Sequence, residues 1–112
     1  MNDRELLELV AIAYGVEGFV AEDWNGIYFC VPGDDPEIYR WLASDGDALR
    51  LAVKLNLQIS PDPSNNMACA WLSNEDDATP IESTIAVEQW NAACVYAATR
   101  RAIVRAASEI GK

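Results

Sequence analysis

The sequence predicts an α+β fold: one domain over residues 1–112, an α-β-α sandwich with a mainly antiparallel sheet of about four or five strands and three main helices. Three observations lead to this class. Apolar residues recur at helical spacing in three segments, Asn25-Gly26 lies between two β-rich runs, and 51% of the 112 residues are apolar. That apolar content suffices for a single core, and the expected element order is α-β-β-α-β-β-α.

The first helix is expected to begin at Asn2 or Asp3. Asn2 followed by Glu5 makes a capping-box pattern, in which side chains satisfy the free amide donors of the first turn. Gly15 supplies the permissive backbone that commonly ends a helix. The apolar residues expected to share one face are Leu6, Leu9, Val10 and Ala13.

A β-hairpin is expected next, with strands over 19–22 and 27–31. The Asn-Gly pair at 25–26 is the strongest short-range turn signal between two such runs. Apolar residues occur at both alternating sets of positions in the second strand, which indicates that both of its faces are partly covered. The turn formers at 32–36 predict a surface loop, and 37–42 is expected to form a short helical turn.

The second helix is expected to start at Ser44 and Asp45, whose side chains can cap its amide donors, with Asp47 adding negative charge to its positive end. It is expected to stop near Asn56. Its predicted apolar stripe consists of Leu49, Ala52, Val53 and Leu55.

The second half of the chain predicts strands at 57–60, 67–72 and 83–88, with loops at 61–66 and 73–80. The last helix is expected over about 91–110, closed by Gly111, since glycine is favoured just past a helix end. Small side chains on one side of this helix should let it approach a neighbouring element closely. These are Val95, Ala98, Ala102, Ala106 and Ile110.

Three blocks of the sequence, DRELLEL at 3–9, DGDALRLAVKL at 45–55 and ATRRAIVRAA at 98–107, resemble small phage and prophage proteins of the phage α-β-α sandwich family. The resemblance implies a sandwich fold and a phage or prophage origin. It supplies no catalytic residues, because the family has no assigned activity. Many family members carry a Trp-Asn-Pro turn before the second block, whereas this chain has Tyr39-Arg40-Trp41-Leu42 there, so the entry to helix two is expected to differ.

The charge balance favours a basic protein partner. Eighteen Asp and Glu against eight Lys and Arg give a net charge of −10, which opposes attraction to nucleic acid or anionic lipid. Residues 96–112 are the basic exception, with four bases and one acid. The sequence has no apolar run of roughly 18 residues and no basic start typical of a secretory signal, so the cytoplasm of a bacterial host is the expected location.

The absence of histidine is the sharpest evidence on function. It removes Ser-His and Cys-His nucleophile pairs and the commonest zinc ligands. We therefore expect no catalytic residue, no metal site and no cofactor. A small enzyme that uses a carboxylate or cysteine remains an alternative, with Asp76, Asp77 or Cys94 in a cleft.

Several groups have both a functional and a purely structural interpretation. Asp45-Gly46-Asp47 is better explained by helix capping than by cation binding, because no further ligands follow at calcium-loop spacing. The acids at 34–35 and 75–77 are interpreted as solvated loop residues. The three cysteines, Cys30, Cys69 and Cys94, are interpreted as buried thiols.

Five residues are the candidate partner-binding set. Four tryptophans are many for this length; two of them, Trp71 and Trp90, are assigned to the core. For the other two, contact with a second chain and core packing both stay open. A basic helix patch could bind a partner or neutralise the chain's own acids. The candidates are Trp24, Trp41, Arg100, Arg101 and Arg105.

These features together predict a non-catalytic phage or prophage accessory protein that binds another protein, with a homodimer as one form. An alternative is an acidic mimic of nucleic acid that blocks a host nuclease or defence protein, because arrayed carboxylates can occupy a phosphate-binding groove. The mimic requires the acids to lie in rows at phosphate-like spacing, which the sequence does not decide.

Overall fold

The computed structural model describes residues 2–62, 67–72, 86–89 and 95–112. Within these ranges it confirms an α+β fold with three helices and antiparallel strands. The helices are α1 (Asp3–Tyr14), α2 (Asp45–Lys54) and α3 (Val95–Gly111). The strands are β1 (Phe19–Asp23), β2 (Gly26–Val31), β3 (Glu37–Tyr39), β4 (Leu57–Asp62), β5 (Met67–Leu72) and β6 (Ala86–Gln89).

The described strands form two antiparallel sheets of three, not the one sheet of four or five that was expected. The first sheet has the order β1-β2-β3 and the second the order β4-β5-β6. Helix α1 packs on the first sheet, α3 packs on the second, and α1 and α3 pack on each other. The two sheets therefore pack mainly against different helices, the first against α1 and the second against α3.

Strand β3 is the element that the sequence did not predict. Residues 37–42 were expected to form a helical turn, but Glu37–Tyr39 pairs with β2, with Ile38 opposite Cys30. A helical turn does form directly after it, where Ala43 N and Ser44 N donate to Arg40 O at 3.0 and 2.7 Å. The element order in the described ranges is therefore α-β-β-β-α-β-β-β-α, which corrects the shorter expected order.

Helix α1 has the predicted ends. Glu5 N donates to Asn2 Oδ1 at 2.8 Å, which satisfies one donor of the first turn. Gly15 adopts the left-handed conformation at φ 91°, and its N donates to Ala11 O at 2.9 Å. The buried face differs from the expected one, because Leu9 and Ala13 are only partly buried. The helix buries Leu6, Leu7, Val10 and Ala11.

Local side-chain bonds set the start of helix α2. Asp47 N donates to Ser44 Oγ at 3.2 Å, so Ser44 is the N-cap. The helix ends at Lys54, and Asn56 adopts φ 57°, in agreement with the expected end near Asn56. The predicted apolar stripe is wrong for two members, since Leu49 and Val53 are exposed. Contact with α3 and β4 instead buries Ala48, Leu51 and Ala52.

Helix α3 packs closely on α1 through a glycine. Gly111 was expected just past the helix end, but α3 runs through it. A Cβ at Gly111 would lie 1.9 Å from the carbonyl oxygen of Leu9, so the residue permits a close approach of the two helices. The expected small side chains do lie inward, since Ala98, Ala102 and Ala106 are buried.

Several predictions fall outside the described residues. They are the loop at 73–80, strand residues 83–85, Trp90 and the start of the last helix at 91–94. Strand β5 has the predicted bounds, and β4 extends two residues further than predicted. None of the helices in the described ranges has the length and apolar character needed to cross a bilayer.

Candidate functional site

The outer face of the first sheet carries an exposed apolar row. Residues paired across antiparallel strands point to the same side of a sheet. Cys30 in the central strand pairs with Phe19 on one side and Ile38 on the other, so the three side chains form one row. Phe19 and Ile38 are 52% and 50% exposed. We call this surface, with Ala21 and Tyr28 of the next row, the outer face.

The opposite side of the same sheet belongs to the core. Val20 and Phe29 are buried there, and α1 packs against β1 and β2. The sheet therefore has one face that is filled by its own chain and one face that is largely open. A large open apolar surface on a folded domain marks a site of interaction more often than an isolated exposed side chain does.

Trp24 lies in the hairpin turn and is 91% exposed. Asp23 pairs with Gly26, so Trp24 and Asn25 form a two-residue turn. Asn25 N donates to Asp23 Oδ1 at 2.9 Å, and Gly26 has φ 113°, a conformation that favours glycine. The structure thus places this candidate residue on the surface, as a partner-binding role requires.

An ion pair supports the hairpin beside the outer face. Arg40 donates from Nη1 and Nη2 to the two oxygens of Asp23 at 3.2 and 2.6 Å. The guanidinium carbon lies 4.7 Å from the centre of the Tyr28 ring. The hydrogen bond with Arg40 holds the pKa of Asp23 below its usual value. No local pattern in the sequence signals this pairing, because it depends on β3 lying beside β2.

Trp41 is not a surface anchor. It is 1% exposed and packs among aromatic rings, which corrects its place in the candidate set. Its ring stacks on those of Tyr39 and Phe29, with centroids 5.0 and 5.8 Å away. Tyr14 of α1 completes the group at 5.7 Å. We call these four residues the aromatic cluster; it supports the first sheet from its inner side.

The sequence segment that contains the strands of the outer face is acidic. Between Arg4 and Arg40 the sequence contains no lysine or arginine. The acids in this stretch are Glu5, Glu8, Glu17, Glu22, Asp23, Asp34, Asp35 and Glu37. Asp34 and Asp35 are exposed in the β2–β3 loop, as predicted. No cluster of three or more potential metal-ligating Cys, Asp or Glu side chains occurs in the ranges that the structure describes.

The candidate arginines on α3 differ in their environments. Arg100 is 17% exposed, donates to Asp45 Oδ1 at 2.6 Å and to Leu42 O at 2.9 Å. Arg100 therefore holds α3 against the start of α2 and is not free to bind a partner. Arg101 pairs with Asp3 of α1 at 3.1 Å, and Arg105 is exposed.

Ion pairs within the chain also neutralise part of its acidic charge. The paired acids are Asp3, Asp23, Asp45, Asp47 and Glu109. The observed cap of helix α2 is Ser44, whereas the carboxylates of Asp45 and Asp47 bind Arg100 and Arg50, so the expected capping role of Asp45 is corrected. Carboxylates that neutralise the chain's own arginines and lysine contribute less negative field to an imitation of nucleic acid.

A second apolar surface is a groove between α2, β4 and α3. It encloses about 450 Å³ and is lined mainly by Leu49, Ile59, Tyr96 and Ile103. The residues proposed for an enzyme, Asp76, Asp77 and Cys94, lie outside the described residues. Cys30 and Cys69 are half-buried free thiols, and Trp71 is half-buried.

Comparison with known proteins adds no relative. No family model matches the chain, and neither the curated proteins nor the solved structures gave a significant match. The resemblance to the phage sandwich family stays a prediction, and the functional argument depends on the geometry of this chain.

Proposed function

We propose that this chain is a non-catalytic protein-binding domain whose outer face receives the basic, partly apolar surface of a different protein. One observation carries the proposal: the row of Phe19, Cys30 and Ile38, whose two outer members are about half exposed, lies in a stretch that has eight acids and no base between Arg4 and Arg40. The phage or prophage origin belongs to the proposal, so the partner would be a bacterial or phage protein.

The apolar row supplies the affinity in this proposal. Burial of apolar surface contributes about 25 cal/mol per Å² removed from water, and aromatic residues are frequent anchors in interfaces. Trp24 and Phe19 offer the largest exposed rings in the hairpin. The aromatic cluster behind the sheet keeps the row in place, so little ordering is required on binding.

The charge selects the partner. A second copy of this chain has the same net charge of −10, and like charges oppose a symmetric dimer, in which identical surfaces meet. A basic partner gains from the same field, both in the bound state and during encounter. We therefore favour a different protein over the homodimer.

The non-catalytic part of the proposal follows from composition. The chain has no histidine. The thiol of Cys30 lies between Phe19 and Ile38 in the row, and these apolar side chains cannot act as a general base for it. Mimicry of nucleic acid is less favoured, because the outer face has an apolar row and five of the acids in the described ranges are paired internally.

Affinity capture from a bacterial lysate tests the proposal with a matched pair of double variants. Phe19→Ser with Ile38→Ser removes the apolar row. Ile12→Ser with Val53→Ser removes two somewhat more exposed apolar side chains elsewhere, on α1 and α2. We expect wild type and the second variant to recover the same basic protein, while the first loses it. Higher salt should weaken the recovery.

Two results would overturn the proposal. Equal recovery by both double variants would show that binding does not use the outer face. Sedimentation that reveals a dimer of the wild type, abolished only by the Phe19 and Ile38 changes, would show that the face serves a second copy of this chain. Circular dichroism of each variant establishes that the fold is intact.

A further inference from the structure

A second feature of the first sheet is a cavity of about 280 Å³ beside the edge strand β3. Three of its lining residues are aromatic members of the cluster, Tyr14, Tyr39 and Trp41. Two acidic residues, Glu37 and Asp47, and one basic residue, Arg50, also line it. Ile38, which belongs to the outer face, lines it too, so the cavity and the outer face are contiguous.

The aromatic lining suits a cation. The faces of tyrosine and tryptophan rings carry negative charge density and attract ammonium and guanidinium groups. The chain already shows this attraction, because Lys54 Nζ lies 4.2 Å from the centre of the Tyr14 ring. The Tyr14 and Tyr39 rings are 5.2 Å apart with planes inclined by 58°, so they present two differently oriented surfaces.

The two carboxylates are not equivalent. Asp47 accepts from Arg40 N at 2.8 Å and pairs with Arg50 at 3.0 Å, so its charge is already balanced. Glu37 accepts a hydrogen bond from the Tyr39 hydroxyl and has no basic partner among the described residues. This hydrogen bond and burial raise the pKa of Tyr39, so the phenol stays protonated and keeps donating.

We propose that this cavity binds the basic side chain of an arginine or lysine, contributed by the protein that docks on the outer face. The inference deepens the proposed function and rests on it. Glu37 pairs with the incoming charge, and the half-buried rings of Tyr14 and Tyr39 receive its flat or apolar part. Lys54 acts as an internal competitor for the Tyr14 ring, and the incoming cation displaces it.

The test uses capped arginine, N-acetyl-arginine amide, as the probe. NMR titration follows the indole signal of Trp41 and the amides of residues 37–39. Capped citrulline, which has nearly the same shape without the charge, is the neutral control. We expect weak saturable shifts with arginine and none with citrulline. Equal shifts with both probes would overturn the cation assignment.

Two substitutions should change the affinity in opposite directions. Glu37→Gln keeps an acceptor for Tyr39 but removes the charge, and should weaken probe binding about tenfold, the effect of one charge-assisted hydrogen bond. Lys54→Met removes the competing cation and should strengthen binding. Glu8→Gln removes the same charge from an exposed position on α1 and should leave affinity unchanged. An equal loss of probe affinity in Glu37→Gln and Glu8→Gln would mean that the probe responds to the overall negative charge of the protein and not to Glu37.

The test separates failure of this inference from failure of the proposed function. Phe19→Ser lies outside the cavity and should leave probe binding intact while it weakens recovery of the partner. Suppose that Glu37→Gln captures the partner at the wild-type level and that the wild type does not bind the probe. The proposal that the cavity binds a basic side chain would then be refuted, while the proposal that the outer face binds the partner would be retained. Spectra of each variant without probe verify folding.

Discussion

The two sheets of this domain are packed with side chains of very different size. Behind the first sheet lie large rings, with Phe29 and Trp41 buried in the aromatic cluster. Behind the second sheet lie small side chains, since β5 buries Ala68 and Ala70 and α3 buries Ala102. Each sheet thus has buried side chains behind it. Large rings fill the space behind the first sheet, whereas small side chains behind the second sheet let the backbones come close together.

The difference teaches where the chain can interact with other molecules. Alanine contacts place α3 directly against its sheet and helix neighbours, and a groove beside α2 still leaves Leu49 and Tyr96 exposed there. The aromatic cluster fills one side of the first sheet, and the other side carries Phe19 and Ile38, each about half exposed. The region packed with large rings therefore presents an exposed row on a sheet, whereas the region packed with alanine presents a groove between elements. The predictions below test each half of this contrast.

Removal of the central ring should have the largest effect. Trp41→Ala leaves a cavity where four rings meet, and we expect a loss of about 3–5 kcal/mol in the free energy of unfolding. Trp24→Ala removes the same side chain from a 91% exposed position and should change stability by less than about 0.5 kcal/mol. Urea unfolding at neutral pH measures both. Similar losses in the two variants would contradict the burial that defines the aromatic cluster.

Addition of one methyl group should be costly where backbones touch. Gly111→Ala forces a Cβ to within 1.9 Å of Leu9 O, so α1 and α3 must separate, at about 1–3 kcal/mol. Gly46→Ala is the control in helix α2, where the nearest atom to the new Cβ is 3.7 Å away on the Arg50 side chain. Alanine is the better helix former, so Gly46→Ala should stabilise by up to about 1 kcal/mol.

The same comparison explains which parts of the fold the sequence could predict. The ends of α1, the hairpin turn and strand β5 depend on neighbouring residues, such as Asn2 capping Glu5 and the turn before Gly26, and all were predicted. Strand β3 and the division into two sheets depend on pairing between distant segments. Ile38 becomes a strand residue because Cys30 lies opposite it, which no local pattern encodes.

In the candidate site, too, local features could be predicted from the sequence and contacts between distant segments could not. Trp24 could be named as a candidate from its place in a predicted turn, although the sequence left contact with a second chain and core packing both open for it. The row of Phe19, Cys30 and Ile38 requires the register of three strands, including the one that was missed. Arg100 appeared to belong to a surface patch, but its partners Asp45 and Leu42 come from more than fifty residues earlier in the chain.

A smaller effect is expected for the ion pair that joins α2 to α3. Arg100→Met removes a mostly buried guanidinium and the bond to Leu42 O, and should cost about 1–3 kcal/mol. Arg50→Met removes a pair with Asp47 on the surface, where Arg50 is 74% exposed, and should cost no more than about 0.5 kcal/mol. Chemical denaturation of both variants measures the two losses in the free energy of unfolding. Equal costs would mean that the alanine-packed region does not depend on this contact.

The smallest effect should come from the ion pair beside the outer face, and it should be present at neutral pH and disappear in acid. The hydrogen bond with Arg40 lowers the pKa of Asp23 in the folded state below the ordinary value of 3.8. A lowered pKa means that the carboxylate stabilises the fold at every pH above 3.8, and that this contribution disappears as the pH falls through the folded value. Wild type should therefore lose stability more steeply below about pH 4 than Asp23→Asn, which lacks the titrating group.

Urea midpoints between pH 7 and pH 2.5 measure this difference, with Asp34→Asn as the matched control. Asp34 lies in the exposed β2–β3 loop and forms no ion pair with any described residue. Its variant should follow the wild-type curve, while Asp23→Asn should start lower at neutral pH and converge with wild type in acid. Parallel curves for wild type and Asp23→Asn would mean that the hairpin is held by its strand pairing and turn alone. The ion pair would then contribute nothing measurable to the binding region.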